Sequence, residues 1–395
     1  MGSAGRRCFI HIGFQKTGTT YLQSVFWQSK EQLREQGLEM LTDSFRDTSH
    51  LMLAVRGLLV EGVHPPRAFT VLDRAEKQAA ASTADRVLIS QETLAPATSE
   101  EIRGLLDRLP DHEVHVVVTA RDIARQVPSA WQERVKTRST DSYETFLHDV
   151  VHRGPAAEQF WRVHDLPDVL GRWSRLVPAD RVHVVTVPQR GAPPGQLLER
   201  FCRLLEVDPA GLERETARTN TSIGLVQAEL MRRVNVALGD RLPTPQDGYG
   251  AHGKRFLGED VLASQRAAPP RLPVGMAAWC AETAGKWRGV ITEQGYDVVG
   301  DLEDLDPLAS TYAEEPQDVA DGDLVAAAAE AIATMLDRRH QERDELRGLR
   351  RTLREQEAEL RRLRKQVRRR QEPPPAPTLL GRARGAAARA ILGRR

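Results

Sequence analysis

The sequence has few cysteines and no long apolar run, and both shortages argue against whole classes of protein. Only 3 of its 395 residues are cysteines; they lie far apart and form no C-x-x-C pair. That spacing predicts neither a disulfide framework nor a structural zinc site, and it suits a reducing compartment. No run of 18 apolar residues occurs, and Gly13, Gln15 and Lys16 interrupt the only apolar stretch near the N-terminus. We therefore expect no membrane span, no signal peptide and a cytoplasmic location.

The chain as a whole has almost no net charge, but its two parts differ strongly. Residues 338–395 contain 19 Lys and Arg against 7 Asp and Glu, a net charge of +12. Because the whole chain carries +1, residues 1–337 carry −11. This asymmetry predicts an acidic body with a basic C-terminal extension.

Residues 1–310 alternate strand and helix signals. Strands are predicted at Arg7–Ile12, Arg86–Ser90, Val114–Ala120 and Val182–Val187. Helices are predicted at Thr19–Gln36, Ser99–Leu109, Ile123–Arg138, Tyr143–Val151, Ala156–Leu176, Gly195–Glu206, Ile223–Leu238 and Met276–Gln294. Strands separated by helices predict an α/β domain in three layers, with a parallel sheet flanked by helices. Ligands of such sheets bind at the carboxyl ends of the strands.

Residues 11–23, HIGFQKTGTTYLQ, carry the most informative pattern. A strand, a tight turn containing Gly18 and a helix N-terminus bring free backbone N–H groups and the positive end of the helix dipole to one point. Lys16 adds a full charge, and three threonines add hydroxyl groups. The order differs from a Walker A loop, because the lysine precedes Gly18. The pattern predicts a phosphate site; the alternative is a Gly- and Thr-rich turn without a ligand.

A second pattern follows the strand Val114–Ala120. Arg121 and Asp122 come where that strand ends, and Ser129 lies about two helical turns further along. An arginine gives a bidentate, permanently charged contact to a phosphate. The alternative is that Arg121 and Asp122 cap a helix and that Ser129 is an ordinary helical residue.

Together, the two patterns resemble those of sulfotransferases, which use 3′-phosphoadenosine 5′-phosphosulfate (PAPS). In that family a Lys-Thr-Gly-Thr-Thr loop holds the 5′-phosphosulfate, and an Arg-Asp pair with a Ser eight residues after the Arg holds the 3′-phosphate. The resemblance implies a P-loop-like sulfotransferase fold and a metal-independent enzyme in which Lys16 neutralises charge on the leaving oxygen. It assigns PAPS binding to Lys16, Thr17, Gly18, Thr19, Thr20, Tyr21, Arg121 and Ser129. Tyr21 would stack on adenine, or else pack in the core.

The acceptor hydroxyl needs a base. Glu92 follows the strand Arg86–Ser90 at the sheet edge that carries Lys16, and it is the predicted base. The alternatives are a capping or salt-bridging role for Glu92, with His11 or His50 as the base.

Some family features have no clear match in this sequence. Cytosolic eukaryotic members hold the 3′-phosphate with an Arg-Lys-Gly loop near the C-terminus. Lys254 and Arg255 could replace it, or could open a helix. Asn220 and Ser222 precede a helix, where Ser222 could be the N-cap and either could contact the cofactor.

The predicted function is therefore sulfuryl transfer to a small-molecule or glycan hydroxyl, on a carbohydrate, lipid or secondary metabolite. No nucleic-acid partner is expected. Two other interpretations remain open. The chain could be a P-loop nucleotide phosphotransferase, or a catalytically silent scaffold that acts through its C-terminal extension.

The C-terminal extension has its own pattern. Residues 311–323 read as a polar linker. Over 324–371, apolar or small residues recur at a/d spacing from Val325 to Val367, which predicts a coiled coil and a homo-oligomer. The alternative is a solvated single helix with i,i+4 ion pairs. Residues 372–395 form a Pro-rich spacer and a basic tail that either contacts an anionic surface or only adds solubility.

Overall fold

The computed structural model describes residues 5–214, 222–243, 248–265, 268–314 and 317–371. The chain divides into two compact units, Met1–Ala331 and Ile332–Arg395. The strands are β1 (Arg6–Gly13), β2 (Leu38–Met40), β3 (Arg86–Ser90), β4 (His112–Ala120), β5 (Val182–Thr186), β6 (Leu272–Pro273), β7 (Asp297–Val299) and β8 (Tyr312–Ala313). The helices are α1 (Thr19–Gln28), α2 (Lys30–Glu35), α3 (Phe45–Val55), α4 (Val71–Ala81), α5 (Ser99–Leu106), α6 (Ile123–Lys136), α7 (Tyr143–His152), α8 (Glu158–His164), α9 (Leu166–Ser174), α10 (Gln196–Leu204), α11 (Leu225–Leu238), a π-helix (Gly250–Val261), α12 (Ala277–Glu293) and α13 (Asp321–Gln371).

Six strands form one parallel sheet in the order β2-β3-β1-β4-β5-β7. The central strands are apolar on both faces because helices cover both sides. Alternate residues therefore enter two different cores. Ile10 and Val116 pack in the core that includes α6 and α9, whereas Phe9 and Val117 pack in the core that includes α1 and α10. This three-layer arrangement confirms the predicted α/β class and all four predicted strands.

Two predicted helices are interrupted. The helix predicted at Thr19–Gln36 is divided at Ser29, whose buried Oγ accepts a hydrogen bond from the Glu213 N–H at 2.8 Å. The helix predicted at Ala156–Leu176 is divided at Asp165, and Pro167 lies in the first turn of α9. Proline is tolerated in the first turn of a helix but would remove a hydrogen bond from its interior. Both predictions of one continuous helix are therefore wrong.

The body of the protein extends beyond residue 310, where the sequence placed the end of the α/β domain. The predicted linker at 311–323 contains β8, which pairs with β6 and is buried. The first turns of α13 also belong to the body, because Leu324 and Ala331 are buried and Gln265 Nε2 donates to the Ala327 carbonyl at 3.1 Å. No helix within the described ranges is both long enough and apolar enough to cross a membrane.

In the second unit, the side chains described from 336 to 367 are exposed along the helix. The exposed apolar residues include the predicted seam of Leu346, Leu349, Leu353, Leu360, Leu363 and Val367. The coiled coil stays a prediction, and the predicted spacer and tail at 372–395 lie outside the described residues.

Candidate active site at the carboxyl edge of the sheet

Three chain segments meet where the neighbouring strands β3, β1 and β4 end. The Phe14 N–H, after β1, donates to the Thr119 carbonyl of β4 at 2.8 Å. Gly13 has a φ of +113° and lies so close to Glu92 that a Cβ on it would be 2.9 Å from the Glu92 carbonyl oxygen. Gln23, on α1, donates to Glu92 Oε2 at 2.6 Å. The parallel sheet thus brings the loop after β1, Glu92 and the start of α6 to one edge, as the sequence predicts.

The loop between β1 and α1 has an unusual backbone conformation. Lys16 and Gly18 both have left-handed φ values, 66° and 89°. Gly18 is the N-cap of α1, and a Cβ there would be 2.6 Å from Leu197 Cδ2, so the site requires glycine. The Tyr21 and Leu22 N–H groups donate to the Gly18 carbonyl. Among the described contacts, the N–H groups of residues 15–20 have no partner, and such a run of free donors can bind an anion.

The Thr17 hydroxyl is engaged inside the fold. It is buried, hydrogen-bonds to the Phe14 carbonyl, and lies 2.6 Å from Thr119 Oγ1. His11 is also buried, with its Nδ1 2.8 Å from Ser90 Oγ, and burial lowers the pKa of His11 to about 3. The Thr17 hydroxyl therefore connects the loop to β4, whereas His11 connects β1 to β3. A phosphate contact by Thr17 would have to use its backbone N–H.

Lys16 belongs to a cluster of charges, with two residues of α6 and Lys254 of the π-helix, that the sequence analysis missed. Glu133 Oε2 lies 3.0 Å from Lys16 Nζ and 3.4 Å from Lys136 Nζ, and Glu133 Oε1 lies 2.6 Å from Lys254 Nζ. We call these four residues the lysine cluster. Burial by itself would raise the pKa of Glu133. The three lysines together have the larger effect, so the pKa of Glu133 lies well below its ordinary value. Burial and the charge of Lys16 lower the pKa of Lys136.

The position of Lys254 bears on one of the alternatives for the 3′-phosphate. The π-helix Gly250–Val261 brings Lys254 to Glu133, the residue that also holds Lys16. Lys254 is not among the residues that line the cavity around Arg121 and Ser129. Lys254 is therefore connected through Glu133 to Lys16 in the loop after β1, and it does not line the cavity around Arg121.

Arg121 and Ser129 line a cavity of about 300 Å³, together with Arg125, Arg190 and Arg271. We call it the arginine cavity. Arg121 Nη2 donates to the Arg125 carbonyl at 2.8 Å, whereas its Nε is buried without a partner among the described residues. Burial lowers the pKa of Arg121 to about 9, against the opposite effect of Asp122. The guanidinium stays charged at neutral pH and is available to an anion.

The structure also shows parts of the alternative interpretation of this segment, in which the residues after β4 cap a helix and Ser129 is an ordinary helical residue. Asp122 is the N-cap of α6, with Oδ1 accepting from the Arg125 N–H at 2.9 Å, and it pairs with the Arg125 side chain. Ser129 Oγ donates to the Arg125 carbonyl at 3.0 Å, one turn back along the helix. Capping by Asp122 fixes the start of α6 and leaves Arg121 facing the cavity, so the two interpretations are compatible.

Other predicted residues have structural partners. The predicted N-cap role of Ser222 is wrong, because α11 begins at Leu225 after Gly224, and Ser222 Oγ donates to Gln132 Oε1 at 3.3 Å. Ser222 still lines the arginine cavity, and Asn220 lies outside the described residues. Tyr21 is half-buried and packs against the core on the α1 and α10 side. His50 is buried on α3.

Gln126 is a further residue that the sequence analysis missed. Its Nε2 donates to the Gln15 carbonyl at 2.8 Å, which ties α6 to the loop after β1. A glutamine inside an amphipathic helix gives no signal of such a contact. Across the described ranges, no group of three or more His, Cys, Asp or Glu side chains is placed to hold a metal ion.

Comparisons with known proteins give little for this chain. No family model and no curated protein matches it. A solved sulfotransferase from Alicyclobacillus acidocaldarius is 14% identical with a TM-score of 0.37, covering 60% of this chain and 96% of that one. The sulfotransferase domain from the curacin biosynthetic pathway is 13% identical with a TM-score of 0.32, covering 75% and 100%. Similarity at this level does not establish a family or an activity.

Proposed function

We propose that the chain is a sulfotransferase that moves the sulfuryl group of PAPS to an acceptor hydroxyl. The observation that carries this proposal is that one helix, α6, contacts both segments for which we propose phosphate binding. Its N-terminal part lines the arginine cavity, while Gln126 and Glu133 contact the loop after β1. A nucleotide with one phosphate at the loop and a second in the cavity would use both sites.

The reaction would be an in-line displacement at sulfur. The acceptor oxygen forms a bond to sulfur while the bond from sulfur to the bridging oxygen breaks, and the electron pair stays on adenosine 3′,5′-bisphosphate. Positioning and electrostatic stabilisation supply most of the rate in transfers of this kind. Lys16 would neutralise the bridging oxygen, and the backbone N–H groups of the loop would hold the 5′-phosphate.

Glu92 would take the proton of the acceptor hydroxyl. The position of Glu92 supports this role. Glu92 lies at the carboxyl ends of the strands, beside the loop after β1, and Gln23 Nε2 donates to its Oε2 at 2.6 Å. A fixed carboxylate oxygen with remaining acceptor capacity can receive a proton from a neighbouring hydroxyl. The acceptor itself would be a small molecule or a glycan.

The lysine cluster would keep Lys16 in place before the nucleotide arrives. Glu133 now binds Lys16, and a phosphosulfate would compete with Glu133 for the same ammonium group. Lys136 and Lys254 would then continue to compensate Glu133 while Lys16 turns to the substrate.

Self-association through α13 is a separate proposal. The exposed leucines from Leu346 to Val367 follow the a/d spacing, and a second helix would cover them. The basic tail could add contact with an anionic surface.

Isothermal titration calorimetry with two nucleotides tests the proposed function. We expect adenosine 3′,5′-bisphosphate to bind without a divalent cation and to bind more tightly than ATP with Mg²⁺. A preference for ATP with Mg²⁺ would favour a nucleotide phosphotransferase, and binding of neither would favour a scaffold. Binding of the bisphosphate must also weaken in Lys16→Ala, which removes the only charged side chain of the loop.

A further inference from the structure

The arginine cavity contains more arginines than the described carboxylates pair with. Of its four arginines, Arg125 is paired with Asp122 and also donates to the Pro188 carbonyl at 3.0 Å. Within the described part of the chain, Arg121, Arg190 and Arg271 have no carboxylate partner. Arg271 donates to the Ser310 and Thr311 carbonyls, and Arg121 to the Arg125 carbonyl, so these contacts supply no opposite charge.

This imbalance favours a doubly charged anion inside the cavity. Around a volume of about 300 Å³ these three guanidinium groups repel one another without a directly paired carboxylate in the described ranges, and the buried Arg121 Nε has no acceptor there. A phosphate monoester dianion would satisfy both deficits, since its oxygens accept several hydrogen bonds and pair bidentately with arginine. Ser129 and Ser222 add hydroxyl groups to the same wall.

We propose that Arg190 and Arg271 complete, with Arg121 and Ser129, a binding site for a terminal phosphate dianion. Resting on the proposed function above, this inference makes that phosphate the 3′-phosphate of the nucleotide. Arg190 follows β5 and Arg271 precedes β6, so two distant loops bring the extra charges to the β4–α6 segment. Lys254, the lysine suggested by the sequence, is instead engaged by Glu133.

Calorimetric titrations of wild type, Arg190→Ala and Arg271→Ala with adenosine 3′,5′-bisphosphate and with AMP test the assignment. We expect each variant to lose at least tenfold in affinity for the bisphosphate, equivalent to about 1.4 kcal/mol, and less than about twofold for AMP. Arg181→Ala is the matched control. It removes an arginine just before β5, at the amino ends of the strands, whereas the arginine cavity lies at their carboxyl ends. It should leave both affinities unchanged.

Arg271 also holds the backbone at residues 310 and 311, so its loss could disturb folding. Arg190 is exposed and has no such role, and Arg190→Ala with an unchanged unfolding temperature therefore decides the question. Equal losses for AMP and the bisphosphate, or no loss for either, would overturn the assignment.

Inorganic phosphate separates this inference from the proposed function. If wild type binds neither nucleotide but binds phosphate, and Arg190→Ala weakens that binding, the phosphate site stands and the sulfotransferase proposal fails. If wild type prefers the bisphosphate tenfold and Arg190→Ala does not reduce the preference, the sulfotransferase proposal stands and this inference fails.

Discussion

Glu133→Gln should destabilise the protein more than any ordinary surface substitution. The change keeps the shape of the side chain but removes the carboxylate that pairs with three lysines, at distances of 2.6, 3.0 and 3.4 Å. Removing one member of a fully buried ion pair costs about 3–5 kcal/mol. Because Lys16, Glu133 and Lys254 keep 27%, 22% and 36% of their side-chain surface exposed, solvent screening reduces this cost. We expect a loss of about 2 kcal/mol in the free energy of unfolding at pH 7.

The loss should depend on pH in a defined direction. The pKa of Glu133 is lower in the folded protein than in the unfolded chain, where it is about 4.3. Its stabilising effect is therefore complete above about pH 4.3 and is lost as the pH falls toward the folded-state pKa. At about pH 3.5 the difference between wild type and Glu133→Gln should be smaller by about 1 kcal/mol.

Urea unfolding followed by circular dichroism at both pH values measures this difference. Glu282→Gln is the matched control, because Glu282 pairs with Lys286 at 2.6 Å but both side chains are largely exposed. It should have no measurable effect. An unfolding free energy unchanged by Glu133→Gln at pH 7, or a difference that does not shrink in acid, would refute the lysine cluster as described.

Three further predictions concern the chemistry and the extension. Lys16→Ala should lower kcat by a larger factor than it weakens nucleotide binding, because the charge on the bridging oxygen develops as the bond breaks; steady-state kinetics with any accepted substrate checks this, and a near-normal kcat would contradict the mechanism. Glu92→Gln should keep the affinity for adenosine 3′,5′-bisphosphate and lower turnover by roughly a hundredfold, the usual size of a general-base effect; an unchanged rate would remove Glu92 as the base. A chain ending at Ala331, where the body ends, should be monomeric by light scattering and still bind the nucleotide, whereas the full chain should self-associate; equal oligomeric states would show that α13 plays no part in assembly.

The central fold could be predicted from the sequence because its strands are apolar runs with clear breaks. The predicted strands at 86–90 and 182–187 agree with β3 and β5 to within one residue. The edge strands β2 and β7 have only three residues each, too few to show a period of two. Their pairing with β3 and β5 defines them as strands, and that pairing is a tertiary contact.

The candidate site was predictable only where its residues follow strand ends. Lys16, Glu92 and Arg121 each come directly after or near the end of a readable strand, so parallel pairing alone brings them to one edge. Arg190 follows the predicted strand Val182–Val187 and could have been identified in the same way, whereas Glu133 and Gln126, inside α6, carry no such signal. Their partners lie far away in sequence, as Lys254 does from Glu133, and only the packing of the π-helix against α6 brings that pair together.

The most direct test of the central claim, one nucleotide held by two phosphate sites, is the ratio of two dissociation constants in wild type. Calorimetry should show adenosine 3′,5′-bisphosphate binding at least tenfold more tightly than AMP, a difference of about 1.4 kcal/mol or more. The ratio should fall toward one in Arg121→Ala, because that change removes a guanidinium from the second site only. Equal affinities of wild type for the two nucleotides would contradict the claim.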